Sequence, residues 1–213
     1  MPRKKQKKIN EAFTFENVFY EKQENVFKLL CDFLGSDKPV TLELGCGQAD
    51  YTVNMARLFP EKNFIGIDRK PNRIWNASKN GTESKLKNAV FLIAYIERLA
   101  EVFPPQSVEE IWITFPDPYQ RRSNMKKRLT HPRFLNTYKK FLIDGGKVNL
   151  KTDDETLYNY TLEVVEKNGL KLLKSTDDLY ASQKLTEVEE IKTKYEKMHL
   201  AEGKKITLVS FCI

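Results

Sequence analysis

The chain has 213 residues, 40% of them hydrophobic and 31% charged, which suits one compact domain with a buried core and excludes a disordered chain. No apolar run approaches the ~20 residues of a membrane-spanning helix, and the lysine-rich start lacks the apolar stretch of a signal peptide. Three cysteines have no metal-ligand spacing and no even-numbered disulfide pattern, so we expect free thiols, no metal site and a cytoplasmic protein.

The net charge of +7 is unevenly distributed along the chain. Five basic residues lie among the first eight, so residues 1–15 are expected to form a flexible basic tail before a single domain at 16–213. Such a tail can be a mobile arm for phosphates or merely a solvated terminus. A second stretch, 118–143, contains eight basic residues and no acidic one. Because a solvated face usually mixes both signs, this stretch favours the binding of a nucleic acid.

Hydrophobic periodicity predicts strands and helices that alternate along the chain. The first predicted element is a helix at 21–34, which Gly35 ends. Strands are predicted at 40–44, 63–67, 90–93, 110–115, 147–150, 170–174 and 206–212, and the helices between them at 50–58, 72–79, 97–102, 132–142, 155–167 and 187–199. This alternation predicts parallel βαβ units in a doubly wound α/β sheet, with a hairpin-like pair of strands at the end.

A glycine-containing loop follows the strand predicted at 40–44. Gly45 and Gly47 allow a sharp turn at the carboxyl end of the sheet, where doubly wound folds bind their ligands. Asp68 ends the next strand at the spacing from which an acid reaches a ribose diol. Asp50 replaces the last glycine of a dinucleotide fingerprint and would repel a pyrophosphate, whereas Glu43 favours a positive charge. The loop therefore favours S-adenosylmethionine, with its ammonium and sulfonium groups, over a dinucleotide.

A proline-containing and then basic loop follows the strand predicted at 110–115. It reads Thr-Phe-Pro-Asp-Pro-Tyr-Gln-Arg-Arg at 114–122 and Asn-Met-Lys-Lys-Arg-Leu-Thr at 124–130. This stretch resembles the tRNA (guanine-N7)-methyltransferase family, whose signature is Pro-Asp-Pro-Trp followed by lysines, a histidine and a basic triplet. Leu-Lys-Thr-Asp at 150–153 and the threonine-x-tyrosine-glutamate at 193–196 extend the resemblance.

The resemblance implies a Rossmann-like class I methyltransferase sheet, mostly parallel with an antiparallel C-terminal strand. It also implies that S-adenosylmethionine donates a methyl group to N7 of a guanine in the variable loop of tRNA, at position 46. The expected partner is therefore tRNA, and no association with a membrane is expected. The expected oligomeric state is a monomer or a homodimer.

The resemblance also assigns site residues, position by position. Asp117 matches the catalytic acid and a cofactor contact. The other expected cofactor contacts are Glu43, Gly45, Gly47, Asp68 and Tyr95. The expected tRNA contacts are Arg121, Asp153, Thr193, Lys194, Tyr195 and Glu196. The chain departs from the family pattern at Ala49, Tyr95, Tyr119, Gln120 and Asn124, where a glycine, an acid, a tryptophan, a proline and a histidine are usual. An aromatic ring at position 95 can stack on adenine instead.

Several of these residues also have a plainer structural interpretation. Asp117 can form an Asp-Pro turn, Asp153 and Asp154 can cap the helix at 155–167, and Lys151 is expected to be solvated at a strand end. Two other functions stay open at this point: methylation of a different RNA position, and RNA binding without catalysis by the same fold.

Overall fold

One eight-stranded β-sheet runs through the computed structural model, which describes residues 3–181 and 184–213. The strands are β1 (Val18–Tyr20), β2 (Val40–Leu44), β3 (Phe64–Asp68), β4 (Ala89–Ile93), β5 (Val108–Thr114), β6 (Leu142–Thr152), β7 (Lys171–Thr176) and β8 (Thr207–Cys212). Their order across the sheet is β1-β4-β3-β2-β5-β6-β8-β7. β8 runs antiparallel to both of its neighbours, and the pairs without β8 are parallel. The predicted sheet, mostly parallel with an antiparallel C-terminal strand, is confirmed.

Helices occupy the connections between these strands, and one helix, α1, precedes β1. They are α1 (Arg3–Ala12), α2 (Val26–Leu34), α3 (Asp50–Leu58), α4 (Pro71–Glu83), α5 (Leu99–Val102), α6 (Pro132–Tyr138), α7 (Glu155–Lys167), α8 (Glu187–Glu190) and α9 (Lys194–Ala201). Two 3₁₀ turns lie at Ile96–Arg98 and Arg122–Lys127. Within the described ranges, no helix combines the length and the apolar composition that crossing a membrane requires.

Apolar side chains cover both faces of the sheet. Ile65 on β3 joins a cluster that includes Leu30 of α2 and Leu157 of α7. Its neighbour Phe64 points to the other face and packs with Tyr51 of α3. Successive strand residues point to opposite faces, so a strand buried on both sides reads as a continuous apolar run.

The first helix lies where the sequence predicted a flexible basic tail. α1 packs against α4, where Glu11 accepts a 2.8 Å hydrogen bond from the indole N–H of Trp75. The Lys8 ammonium lies 4.0 Å from the centroid of the Trp75 ring and also donates to Asn76. Counting charges missed this helix because a lysine ammonium can also lie over an aromatic ring, which attracts it electrostatically. Met1 and Pro2 of the predicted tail, and Ser182 and Gln183 of the predicted domain, lie outside the described residues.

Two predicted helices end or divide earlier than their apolar periodicity suggests. The helix predicted at 132–142 ends at Tyr138, and Leu142 already belongs to the long strand β6. The helix predicted at 187–199 is divided into α8 and α9, because Thr193 caps a new helix start with its hydroxyl. This division places residues 191–193 in an extended segment.

Candidate active site

A cleft of about 1030 Å³ opens at the edge of the sheet where β2 to β6 end. Parallel strands place their carboxyl ends at one edge, so residues far apart in sequence meet there. Most of the predicted site residues line this cleft: Glu43, Gly45, Gly47, Asp68, Tyr95, Asp117, Asp153, Thr193, Lys194 and Tyr195. Arg121 and Glu196, both among the described residues, lie outside its lining.

Glu43 is a buried acid on the central strand β2, with 1% of its surface exposed. The backbone N–H and the hydroxyl of Thr52 donate to one carboxylate oxygen, and the Thr114 hydroxyl donates to the other over 2.9 Å. Burial raises the pKa of this carboxyl from 4.5 to about 7, although the hydrogen bonds act in the opposite direction. A cation bound in the cleft would stabilise the ionised form of Glu43, and the ionised form would in turn attract the cation.

Asp68 connects the glycine loop to the beginning of α4. Its carboxylate accepts hydrogen bonds from the backbone N–H groups of Gly47, over 3.2 Å, and Lys70, over 2.8 Å. The guanidinium of Arg73 lies 3.3 Å from the same carboxylate and is 45% exposed. Gly45 has a φ of 72°, a conformation that glycine adopts without steric cost. The glycine loop is therefore held by a carboxylate that is also paired, on its solvent side, with the exposed Arg73 guanidinium.

Asp117 projects from a loop with an unusual backbone. Phe115 and Tyr119, on either side of it, have φ values of 48° and 46°, which bulky residues rarely adopt. Among the described residues, Asp117 is exposed and has no hydrogen-bond or ion-pair partner. Residues 116–120 form no hydrogen-bonded turn, so the interpretation of Asp117 as part of an Asp-Pro turn is wrong. Strained backbone of this kind is retained where a loop must present a group for function.

The basic loop after Asp117 contains one arginine with a structural role. Arg128 is 2% exposed, and its guanidinium donates to the carbonyl oxygens of Pro118 and Tyr119 over 2.9 and 3.1 Å. It also stacks 4.4 Å from the centroid of the Tyr160 ring. The expectation that the basic residues of 118–143 bind a nucleic acid is therefore wrong for Arg128, because its guanidinium is occupied by the carbonyls of the Asp117 loop. The other basic residues of this loop are exposed: Arg121, Arg122, Lys126 and Lys127.

The beginning of α9 forms one wall of the cleft. The Thr193 hydroxyl accepts from the backbone N–H of Glu196, and the Glu196 carboxylate accepts from the N–H of Thr193, which is a capping box. Lys194 and Tyr195 are exposed at the cleft, and the Lys194 N–H donates to the Asp50 carboxylate over 2.9 Å. Glu196 itself is 0% exposed. The prediction that Glu196 contacts tRNA is corrected, since it lies beneath this wall and supports it.

Asp153 and Asp154 have different surroundings although they are adjacent. Asp154 caps α7 by accepting from the Leu157 N–H over 2.7 Å, as the plainer interpretation predicted. Asp153 lines the cleft and lies 3.3 Å from the Lys204 ammonium and 3.6 Å from Nδ1 of His199. His199 also lines the cleft, and sequence reasoning missed it because a single histidine on a helix gives no pattern.

The strand order and the acids at the ends of β2 and β3 define the class I methyltransferase fold. Solved methyltransferases have the same fold at low sequence identity. The 16S rRNA methyltransferase KamB superposes with a TM-score of 0.66 at 16% identity, covering 91% of this chain and 94% of that one. A methyltransferase from Aquifex aeolicus gives 0.56 at 16% identity, covering 87% and 88%.

Sequence comparison identifies the family. Residues 37–209 match the family model described as "Putative methyltransferase". The chain is 42% identical to the tRNA (guanine-N(7)-)-methyltransferase of Cytophaga hutchinsonii, over 99% of this chain and 98% of that protein. It is 44% identical to the enzyme of that name from Porphyromonas gingivalis, over 93% and 85%. The chain belongs to the tRNA (guanine-N7)-methyltransferase family, as its motifs predicted.

Proposed function

We propose that this methyltransferase transfers the methyl group of S-adenosylmethionine to N7 of the guanine at position 46, in the variable loop of tRNA. The observation that carries the proposal is the meeting of Glu43, Asp68 and Asp117 in one cleft. Two of these acids suit a cationic nucleoside cofactor, and the third is free to act on a base beside it. The exposed basic loop next to Asp117 supplies the positive charge that an RNA substrate requires.

The residues of the cleft fit S-adenosylmethionine. A Cβ added at Gly45 would meet no atom within 4 Å, so the loop leaves open space beside the carboxylates. Glu43 attracts an ammonium in its ionised form, and a bound ammonium would offset the burial that raises the pKa of this carboxyl to about 7. The Asp68 carboxylate would accept hydrogen bonds from the ribose hydroxyls, which would replace its contact with the exposed Arg73 guanidinium. Tyr95, which is 51% exposed at the end of β4, offers a ring face to the adenine.

When bound, S-adenosylmethionine supplies a sulfonium methyl group, which guanine N7 takes with its in-plane lone pair as the S–CH₃ bond breaks. Because N7 carries no proton, the chain needs no general base. Its task is to hold the base in line and still, which is catalysis by positioning. The guanine ring becomes positively charged, and the unpartnered carboxylate of Asp117 accepts hydrogen bonds from it and stabilises that charge. Thr193 and Tyr195, which also line the cleft, would help to confine the base.

The test is methyl transfer from labelled S-adenosylmethionine to a tRNA transcript, followed by aniline cleavage at the methylated base. We expect label in the tRNA and one cleavage at position 46. A matched transcript with 7-deazaguanosine at that position has a C–H in place of N7 and should accept no label. Cleavage elsewhere would establish another RNA position as the target. Cofactor and tRNA binding without transfer would instead establish an RNA-binding protein of this fold.

Arg121→Ala is expected to lower both the salt dependence of tRNA binding and the rate of transfer at saturating tRNA. Arg121 is exposed four residues after Asp117, so its phosphate contact would also help to place the target base. Losing one phosphate contact should reduce the slope of log K against log salt by about 0.7–0.9. Binding titrations at several salt concentrations and single-turnover rates measure the two effects.

Two further variants separate phosphate binding away from the cleft and the stability of the Asp117 loop from the effect of Arg121→Ala. Lys5→Ala, on the exposed side of α1, should reduce the slope with a smaller effect on the saturated rate. Arg128→Ala should leave two backbone carbonyls unsatisfied and lower the free energy of unfolding by about 1–3 kcal/mol. A larger effect of Lys5→Ala than of Arg121→Ala on the saturated rate would contradict the proposed geometry. Binding of tRNA that does not respond to salt would contradict the RNA substrate itself.

A further inference from the structure

The buried ammonium of Lys151 lies beneath the part of the cleft wall where α9 begins. The side chain of Lys151, near the end of β6, is 0% exposed, so the expectation of a solvated lysine is wrong. Its Nζ lies 2.7 Å from the Glu196 carboxylate and donates to the carbonyl oxygens of Glu189 and Ile191, over 2.9 Å each. The Tyr180 hydroxyl lies 3.3 Å from the same ammonium and donates to the Glu196 carboxylate over 2.6 Å.

This one ammonium holds the ends of two helices at once. The carbonyls of Glu189 and Ile191 lie at the C-terminal end of α8, where a positive charge is favourable. Glu196 closes the capping box at the N-terminal end of α9. Residues 191–193 connect the two ends, and the cleft wall of Thr193, Lys194 and Tyr195 follows directly. We call residues 193–195 the wall segment.

The wall segment also rests on the helix that follows the glycine loop. The Lys194 N–H donates to the carboxylate of Asp50, the first residue of α3. The hydroxyl of Tyr51, the next residue, donates to the Val188 carbonyl over 2.6 Å. The Lys151 ammonium lies 5.4 Å from the centroid of the Tyr51 ring. These contacts therefore fix the wall segment against the beginning of α3, next to the glycine loop.

We propose that Lys151 is a positioning residue for the RNA substrate, holding the wall segment in its binding conformation before RNA arrives. This inference rests on the proposed function. Lys151, Tyr180 and Glu196 all lie outside the lining of the cleft, so they act through the wall segment rather than by contact with RNA. A segment fixed in advance binds without the cost of ordering it, and it places the base accurately.

Removing one partner of a buried ion pair strongly destabilises a protein, whereas replacing both charges often does not. The test therefore uses the double variant Lys151→Met/Glu196→Gln, in which the glutamine oxygen still caps the Thr193 N–H. We expect the affinity for S-adenosylmethionine to stay within about twofold of wild type, and KM for tRNA to rise about tenfold or more because RNA must then order the segment. Tyr180→Phe removes only a hydroxyl, and a rise of about two- to fivefold is expected.

Lys174→Met/Glu189→Gln is the matched control, since this pair, over 2.7 Å, also holds α8 but not α9. It should leave KM for tRNA unchanged. Amide hydrogen exchange at Lys194 reports on the order of the wall segment without an activity assay. Exchange should be faster in Lys151→Met/Glu196→Gln than in the control. An unchanged KM for tRNA in both Lys151→Met/Glu196→Gln and Tyr180→Phe would overturn the proposal. If wild type does not methylate tRNA, the proposed function fails, and unchanged exchange at Lys194 would then overturn this inference separately.

Discussion

Asp117→Asn is expected to lower the single-turnover rate of methyl transfer by about 10²–10³-fold, the range typical for loss of one group that stabilises developing charge. Asparagine keeps the shape of the side chain and removes its charge. The loop is set by Phe115 and Tyr119 and braced by Arg128, so it should not move when the carboxylate is lost. The affinity for S-adenosylmethionine should fall much less than the rate does, because the ammonium and the ribose are assigned to other acids. Rates at saturating tRNA and cofactor measure the effect.

Asp177→Asn is the control for this prediction, because Asp177 is exposed and lies outside the lining of the cleft. It should leave both rate and affinity unchanged. Wild-type rates in Asp117→Asn would remove the catalytic assignment. A loss of cofactor affinity as large as the loss of rate would instead make Asp117 chiefly a cofactor ligand.

Glu43→Gln is expected to weaken S-adenosylmethionine binding by about 1–3 kcal/mol and, in the protein without cofactor, to raise stability at pH 8. Burial raises the pKa of Glu43 in the folded state from 4.5 to about 7. Its contribution to stability is therefore fully present below about pH 4.5 and is lost as pH rises through about 7. A glutamine carries no charge to bury and can still accept from Thr52, so the variant should gain about 1–3 kcal/mol at pH 8.

Urea unfolding at pH 5 and pH 8 and calorimetric titration with S-adenosylmethionine test the two effects separately. Glu110→Gln is the matched control, since burial also raises the pKa of Glu110, which lies outside the lining of the cleft. It should change stability without changing cofactor affinity. Asp68→Ala should weaken the cofactor by a similar 1–3 kcal/mol through the ribose. Tighter binding of NADH than of S-adenosylmethionine to wild type would refute the assignment of both acids.

The local sequence was sufficient to predict the framework of the site. The bounds predicted for α3 and α7 agree with the structure to the residue, because apolar spacing and chain breakers are local properties. Gly45, Gly47 and Asp68 were found through their positions at strand ends, and parallel strands bring such ends to one edge. The motif around Asp117 predicted the family that the sequence comparison identified.

The sequence by itself determined the class of fold, the family and ten of the residues that line the cleft. Only the tertiary structure decided which charged residues reach solvent. Arg128 follows exposed basic residues and Lys151 was expected to be solvated at a strand end, yet both are buried, one against two loop carbonyls and the other against Glu196. The physical reason is that burying a charge costs free energy unless partners surround it, and here those partners come from other parts of the chain. Residue type and spacing do not predict such partners. The Lys151–Glu196 pair beneath the wall segment could therefore be identified only from the tertiary structure.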